Sequence, residues 1–251
     1  MSVTIKSNHE IELMREAGRI LAIVHDEIEK NIRPGITTYE IDKIGYDVIK
    51  SYDCIPSFLD YHGYPASICV SVNDEVVHGI PSKNRIIREG DIVSVDAGVI
   101  YKGYHSDAAR THAVGEITPE ARRLIDATKQ SFFEGIKFAK AGNHLHDISA
   151  AIEDYVVAQG YTVVRDLVGH GIGRALHEEP EIPNFRVRRK GIKLVPGMTL
   201  AIEPMVNVGR PDVAWLDDEW TVVTHDGSLS AHYENTVLIT DGEPEILSYH
   251  K

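Results

Sequence analysis

The sequence predicts an α+β fold built from two similar halves, and three spacings carry that expectation. Gly35, in Arg33-Pro34-Gly35, and Gly142, in Lys140-Ala141-Gly142, lie 107 residues apart, each ahead of a helix-start pattern. Gly90 and Gly197 are again 107 apart, and so are Asp96 and Glu203, the acids that close the strands behind those glycines. Each half reads helix, helix, strands, with the halves at about 10–115 and about 118–247. Gly-turn-strand patterns also recur by coincidence. A real duplication closes residues 1–251 into a single pseudo-twofold domain, with a site between the halves and its two acids symmetrically placed. No linker, low-complexity tract or charge block divides the chain.

In chain order, Thr37-Thr38-Tyr39-Glu40 has the form of a capping box, followed by an apolar-periodic helix from Ile41. His144 and Asp147 stand in the same relation to a helix from Ile148. Their His-x-His spacing with His146 resembles a metal pair, but a helix start makes capping the simpler reading. The run Asp91 to Val114 reads as a hairpin turning near Tyr101-Lys102-Gly103. A four-residue loop, Ile100 to Gly103, sets Asp96 directly opposite Asp107, where side chains sit about 4.5–5.5 Å apart. A two-residue loop, Lys102-Gly103, makes Asp107 face Gly98 and lie diagonal to Asp96. Both registers keep the two acids on one face.

With 251 residues, 43% hydrophobic and 25% charged, the chain can bury a full core. A net charge of −12 argues against a general nucleic-acid-binding surface, so no DNA partner is expected. Cys54 and Cys69 are too few for a disulfide scaffold, which points to a reducing compartment. The start, Met-Ser-Val-Thr-Ile-Lys, lacks a signal peptide's apolar stretch, and no run nears the roughly 20 apolar residues of a membrane span. A soluble, cytoplasmic protein is the expectation.

Two carboxylates as close as Asp96 and Asp107 repel unless a shared proton or a metal ion lies between them. Glu203 closes an otherwise apolar strand, Met198 to Ile202, and Glu234 sits among apolar strand residues; a buried carboxylate needs a partner. Any one of these acids is equally well read as an arginine's partner or a solvated group; four in apolar strands are not. His170 lies in Val168-Gly169-His170-Gly171-Ile172-Gly173, where glycines let backbone approach closely, as beside a metal or substrate. Four carboxylates and one imidazole suit two hard or borderline divalent ions such as Mn, Fe, Co or Zn, and not a thiolate zinc site. Four negative ligands balance two dications and leave room for a bridging hydroxide.

The set Asp96, Asp107, His170, Glu203 and Glu234 resembles the metal ligands of the pita-bread metallopeptidases: methionine aminopeptidases, prolidases, aminopeptidase P and creatinase. Tyr61-His62-Gly63-Tyr64-Pro65, the run Asn73 to Pro81, Gly169 to Gly173, His177-Glu178-Glu179-Pro180 and Pro196-Gly197-Met198 are similar to the type I methionine aminopeptidases of bacteria. The resemblance runs from about residue 5 to 247. It implies a curved antiparallel sheet covered by helices, and removal of the initiator methionine from nascent proteins and peptides whose second residue is small. Prolidases and aminopeptidase P usually add an amino-terminal domain that 251 residues cannot hold. Xaa-Pro dipeptidase activity is the enzymatic rival, and a metal-free binding member of the fold is the non-enzymatic one.

The resemblance further implies that Asp96 binds one metal, His170 and Glu203 the other, and that Asp107 and Glu234 bridge both. A bridging water or hydroxide attacks the terminal methionine's carbonyl, and Glu203 moves the proton as base and then acid. His177 stabilises the oxyanion and His78 contacts the amide beyond the scissile bond. Tyr61, Tyr64, Cys69 and Trp220 fall at methionine-pocket positions. Phe58 stands where a small residue or cysteine is frequent, and Leu176 where an aromatic is expected, so pocket shape differs. Asn73, Glu75 and Ser230 match a monovalent cation site. Arg186 to Lys193 is the one basic cluster; it reads as a solvated loop or as a ribosome-facing contact. The protein is expected to be a monomer, with no membrane partner.

Overall fold

The structure, a computed structural model, describes residues 3–249. Helix α1 (Asn8–Asn31) starts at a capping box: the Glu10 N–H donates to Ser7 Oγ, and Glu10 Oε2 accepts from the Ser7 N–H at 2.8 Å. Helix α2 (Thr38–Ser51) starts at the predicted box, Thr37 with Glu40. Strands β1 (Ile55–Pro56), β2 (Ile68–Val72), β3 (Glu75–Val77), β4 (Ile92–Tyr101) and β5 (Tyr104–Ala113) complete the first half. The second opens with α3 (Pro119–Ile136), capped by Thr118 with proline at its first turn, and α4 (Leu145–Ala158). Ten strands follow: β6 (Thr162–Val163), β7 (Gly169–Gly171), β8 (Glu178–Ile182), β9 (Thr199–Ile202), β10 (Met205–Asn207), β11 (Val213–Trp215), β12 (Val222–Thr224), β13 (Ser230–His232), β14 (Asn235–Leu238) and β15 (Glu245–Ile246).

The 107-residue offset holds in three dimensions. Helices α2 and α4 begin at Thr38 and Leu145 with 14 residues each, and β4 and β9 begin at Ile92 and Thr199. Both α2 and α4 begin three residues before the predicted Ile41 and Ile148, because the capping residue at position 37 or 144 starts the helix at the next residue. At α4, the Asp147 carboxylate accepts the His144 N–H at 2.8 Å, so His144 opens the helix and His146 turns to the Arg189 carbonyl.

Every strand pairing among the described residues is antiparallel. In the first half β4 pairs with β1, β2 and β5; in the second the order is β15-β14-β9-β7-β8. Two small sheets, β13-β10-β6 and β11-β12-β3, fill in beside them, and the latter joins a first-half strand to second-half strands. Each main sheet packs its apolar face on its own helices. Leu21, Val24, Ile28, Ile41 and Ile49 meet Ile68, Val70, Val93 and Val95 in one core. Leu124, Phe132, Ile148 and Ile152 meet Leu200, Ile202 and Val237 in the other.

The β4–β5 hairpin takes the two-residue register. Tyr101 pairs with Tyr104, and Lys102 (φ 47°) and Gly103 (φ 82°) form the left-handed pair of a type I′ turn, whose twist matches the strands. Asp107 therefore pairs with Gly98 and Asp96 with Ala109, which places the acids diagonally on one face.

A seam without a regular ladder joins the halves where β5 meets β13 and β14. Thr236 Oγ1 accepts the Asp107 N–H and donates to the Asp107 carbonyl, both at 2.9 Å. Thr111 Oγ1 does the same for His232, and the Glu234 N–H donates to the Ala109 carbonyl at 3.0 Å. Arg110, half-buried in the seam, donates to the carbonyls of Ala109, Glu234 and Ser248 and to Asn235 Oδ1. The carboxy-terminal segment continues the seam against α1, where Arg15 grips Glu245 through two bonds of 2.8 Å.

Gly18 tests that last contact. In an exposed helix, Gly→Ala stabilises by about 1 kcal/mol, but a Cβ on Gly18 would lie 2.1 Å from the Leu247 carbonyl oxygen. Gly18→Ala is expected to destabilise by about 1–3 kcal/mol, the range for overpacking. Urea denaturation checks this, and a raised midpoint would mean that the carboxy-terminal segment is not held there.

Candidate metal centre and substrate cleft

Five side chains from both halves converge at the seam. Asp96 projects from β4 and Asp107 from β5; His170 lies on β7, Glu203 follows β9, and Glu234 lies between β13 and β14. Asp107, His170 and Glu234 are buried, each with a ligand atom within 4.8 Å of the others'. His170 Nε2 lies 3.5 Å from Glu203 Oε1 and 4.0 Å from Asp107 Oδ2. Its Nδ1 sits 2.9 Å from the Gly171 carbonyl, which can only accept, so Nδ1 carries the hydrogen and Nε2 faces the carboxylates with a free lone pair.

Gly169 and Gly171 make room for the neighbouring strands, and Gly169 also for the Glu203 side chain, whose Cγ would lie 3.3 Å from a Cβ there. A Cβ at Gly169 would lie 2.4 Å from the Ala201 carbonyl oxygen, and one at Gly171 2.2 Å from that of Glu179. Close backbone on either side of β7 excludes side chains there and leaves His170 between two bare positions.

The electrostatics are those of a site built for counter-charge. Burial and one another's charge push Asp107, Glu203 and Glu234 well above the usual carboxylate range, and burial brings Asp96 to about 7. Asp96 adds to the upward push on Asp107, so the two acids of the hairpin act on each other directly. Among the described residues no lysine or arginine forms an ion pair with any of the four; Arg110 spends its guanidinium on backbone and amide oxygens. Asp96 Oδ1, Asp107 Oδ1 and Glu234 Oε1 are enclosed without a hydrogen-bond partner. Orphaned carboxylate oxygens facing a free imidazole lone pair are a divalent cation's donor set, hard and borderline with no thiolate.

The predicted pocket residues gather beside this centre. Phe58, Tyr64, Cys69 and Leu176 are buried in one apolar cluster, and Tyr61 and Trp220 pack on its edge. Trp220 meets Tyr64 edge-on at 5.1 Å and His78 at 6.4 Å between ring centres. Cys69 pairs with Asp96 in the β2–β4 register, and burial pushes its thiol well up, which suits a wall and not a nucleophile. Cys54 is likewise free and buried. His177 stands edge-on to His170 at 4.2 Å, between metal centre and pocket. His78, at φ 59°, is drawn down to about 4 by burial and by His177. Both histidines are neutral near pH 7.

His232 escaped the sequence reading. It is 1% exposed, its Nε2 lies 3.8 Å from Glu203 Oε2, and neither ring nitrogen has a hydrogen-bond partner. Its position two residues before Glu234, in a run whose sequence pattern is that of a strand, was the available signal.

A raised carboxyl pKa destabilises the ionised fold. Without cation, the cluster's contribution to stability is full below the unfolded value near 4 and is lost as pH rises through about 7, the Asp96 value. Cations need the ionised ligands, so manganese or cobalt is expected to bind more tightly as pH rises, releasing protons and restoring melting temperature. Titration calorimetry in buffers of different ionisation enthalpy measures the release; binding without it would contradict the protonated cluster.

Residues 12–241 match the model of "Metallopeptidase family M24". A methionine aminopeptidase of Clostridium acetobutylicum is 56% identical over 98% of both chains. The crystal structure of a methionine aminopeptidase from Thermotoga maritima superposes with a TM-score of 0.97 at 44% identity, covering 99% of this chain and all of that one. An Xaa-Pro dipeptidase from Bacillus anthracis gives 0.80 at 26% identity, with 98% of this chain covering 62% of the other. Matched end to end at more than half its positions, the chain belongs to the bacterial type I methionine aminopeptidases of metallopeptidase family M24.

Proposed function

We propose that this protein hydrolyses the peptide bond after an amino-terminal methionine, removing initiator methionine from nascent proteins and peptides whose second residue is small. The observation that carries the reading is the adjacency of a cation-competent carboxylate cluster and a closed apolar cluster, with His177 between them. An unbranched apolar side chain fits against Phe58, Tyr64, Cys69, Leu176, Tyr61 and Trp220, which sets the terminal carbonyl beside His177 and Glu203. Residues 1–251 act as one catalytic domain, since both halves contribute to the cluster.

Asp96, Asp107, His170, Glu203 and Glu234 would hold two divalent ions, of Co, Mn, Fe or Zn, with Asp107 and Glu234 shared. Such ions acidify water and polarise a carbonyl when bound. Glu203 accepts the proton of the attacking water and passes it to the leaving amine. Its partial exposure keeps it open to the cleft, unlike Asp107 and Glu234. His177 donates to the carbonyl oxygen as charge grows there, and His78 contacts the amide on the far side. Asn73, Glu75 and Ser230 are put forward as a monovalent-cation position; the Asn73 carbonyl and the Ser230 N–H already meet at 2.9 Å.

No helix among the described residues is long and apolar enough to cross a membrane, and cytoplasmic action on nascent chains fits that. Arg188, Arg189, Lys190 and Lys193 are exposed on a segment anchored by Arg186 to Asp154, a surface suited to a ribosome.

Turnover of Met-Ala-Ser against an Xaa-Pro peptide, with each divalent ion in turn, tests the reading; preference for the Xaa-Pro peptide would overturn it. Glu203→Gln keeps one coordinating oxygen but removes charge and basicity. Metal content is expected to fall modestly and turnover much further, and near-normal turnover at excess metal would make Glu203 a ligand only. Leu176→Phe is expected to sharpen methionine over leucine or norleucine, within the ~1–3 kcal/mol that a methylene-sized change carries in an apolar pocket. An unmoved ratio would place Leu176 outside the pocket.

A further inference from the structure

Tyr61 is counted above as pocket wall, yet its hydroxyl is not explained by packing. The ring stands edge-on to His62 at 4.4 Å and to His177 at 5.3 Å, contacts a phenylalanine would make equally well. The hydroxyl instead lies 2.7 Å from His177 Nδ1, and this is its one hydrogen bond among the described residues. The turn that delivers it is held against conformational preference. Asp60 (φ 64°) and His62 (φ 51°) are left-handed without being glycine, and Gly63 (φ 89°) follows. Such residues are unfavourable on their own and persist where surroundings enforce them. Here the bonds Tyr61 N–H to Phe58 O (2.9 Å), Tyr64 N–H to Tyr61 O and Asp60 N–H to Tyr64 O (both 3.0 Å) do so.

A neutral imidazole has one donor and one acceptor nitrogen, and the partner of one decides the chemistry of the other. Of the two ways to write this bond, phenol O–H to Nδ1 uses the stronger acid as donor. The reverse leaves the phenol hydrogen unplaced and turns a lone pair on Nε2 towards the cleft. A lone pair repels a carbonyl oxygen gaining negative charge, whereas an N–H stabilises it.

We propose that Tyr61 is a positioning residue whose hydroxyl, donating to Nδ1, fixes His177 in the tautomer with hydrogen on Nε2 and so makes it a standing donor to the scissile carbonyl. This rests on His177 facing that carbonyl. The orienting bond is in place before substrate arrives, so no ring rotation or proton exchange is needed during turnover.

Tyr61→Phe tests it, because the ring and its packing remain. Nitrogen-15 shifts of the His177 ring, recorded on zinc-loaded protein, report the tautomer directly, since closed-shell zinc leaves the spectrum readable. Wild type is expected to show an acceptor-type Nδ1 and a protonated Nε2, and the variant a mixture. kcat is expected to fall about tenfold or more, the scale for losing an orienting partner, with KM for Met-Ala-Ser changed less than threefold. A variant with the wild-type tautomer overturns the proposal whatever its rate, and so does a rise confined to KM, which would leave Tyr61 as wall alone. The tautomer is read in the resting protein, so its failure is distinct from that of the His177 assignment, which His177→Ala addresses.

Discussion

Four carboxylates around one point repel one another, and the architecture is organised by that constraint. Asp107, Glu203 and Glu234 are each displaced upward by burial and by their neighbours' charge, and burial raises Asp96 as well. The Arg110 guanidinium draws Glu234 down only slightly against the rise from burial and the other acids, because it is committed to the oxygens of the seam. Its position is informative for that reason: a positive group inserted among the acids would satisfy them and close the site, whereas one placed behind them holds the strands together and leaves the carboxylates in want of a cation.

Duplication explains how such an arrangement is reached. One half supplies Asp96 on β4, the other Glu203 after β9, at equivalent places in each. Each half has its own core under its own helices, so neither needs the acids for packing. The second acid of each half lies at the seam, Asp107 on β5 and Glu234 in the link between β13 and β14. Asymmetry enters with β7, whose bare positions admit His170, and with Tyr61, Tyr64 and Trp220, which close one side of the cleft as the apolar cluster.

Much of this was legible in the sequence because it is local. Capping boxes at Thr37 and Glu40, the acid closing each strand, and the parity of Asp96 and Asp107 depend on neighbours within a few residues. The hairpin register was ambiguous by two residues until the left-handed Lys102-Gly103 pair settled it. The seam could not be read at all, since Thr111, Thr236 and Arg110 bond to backbone more than 120 residues away. His232 was missed for the same reason: its approach to Glu203 depends on Met205 pairing with His232. The glycines around His170 do allow close approach, by the neighbouring strands and, at Gly169, by the Glu203 side chain.

The seam has a mechanical consequence. Asp107 and Glu234 lie on opposite sides of a junction stitched by side chains instead of a continuous ladder, so a cation held by both would act as a cross-link between the halves. Separating the halves would then require the same motion as letting the ion go. Ion residence time and slow hydrogen exchange of the Asp107 and Glu234 amides would share one barrier, and the site's grip on metal would be a property of the junction between the halves as much as of the ligands.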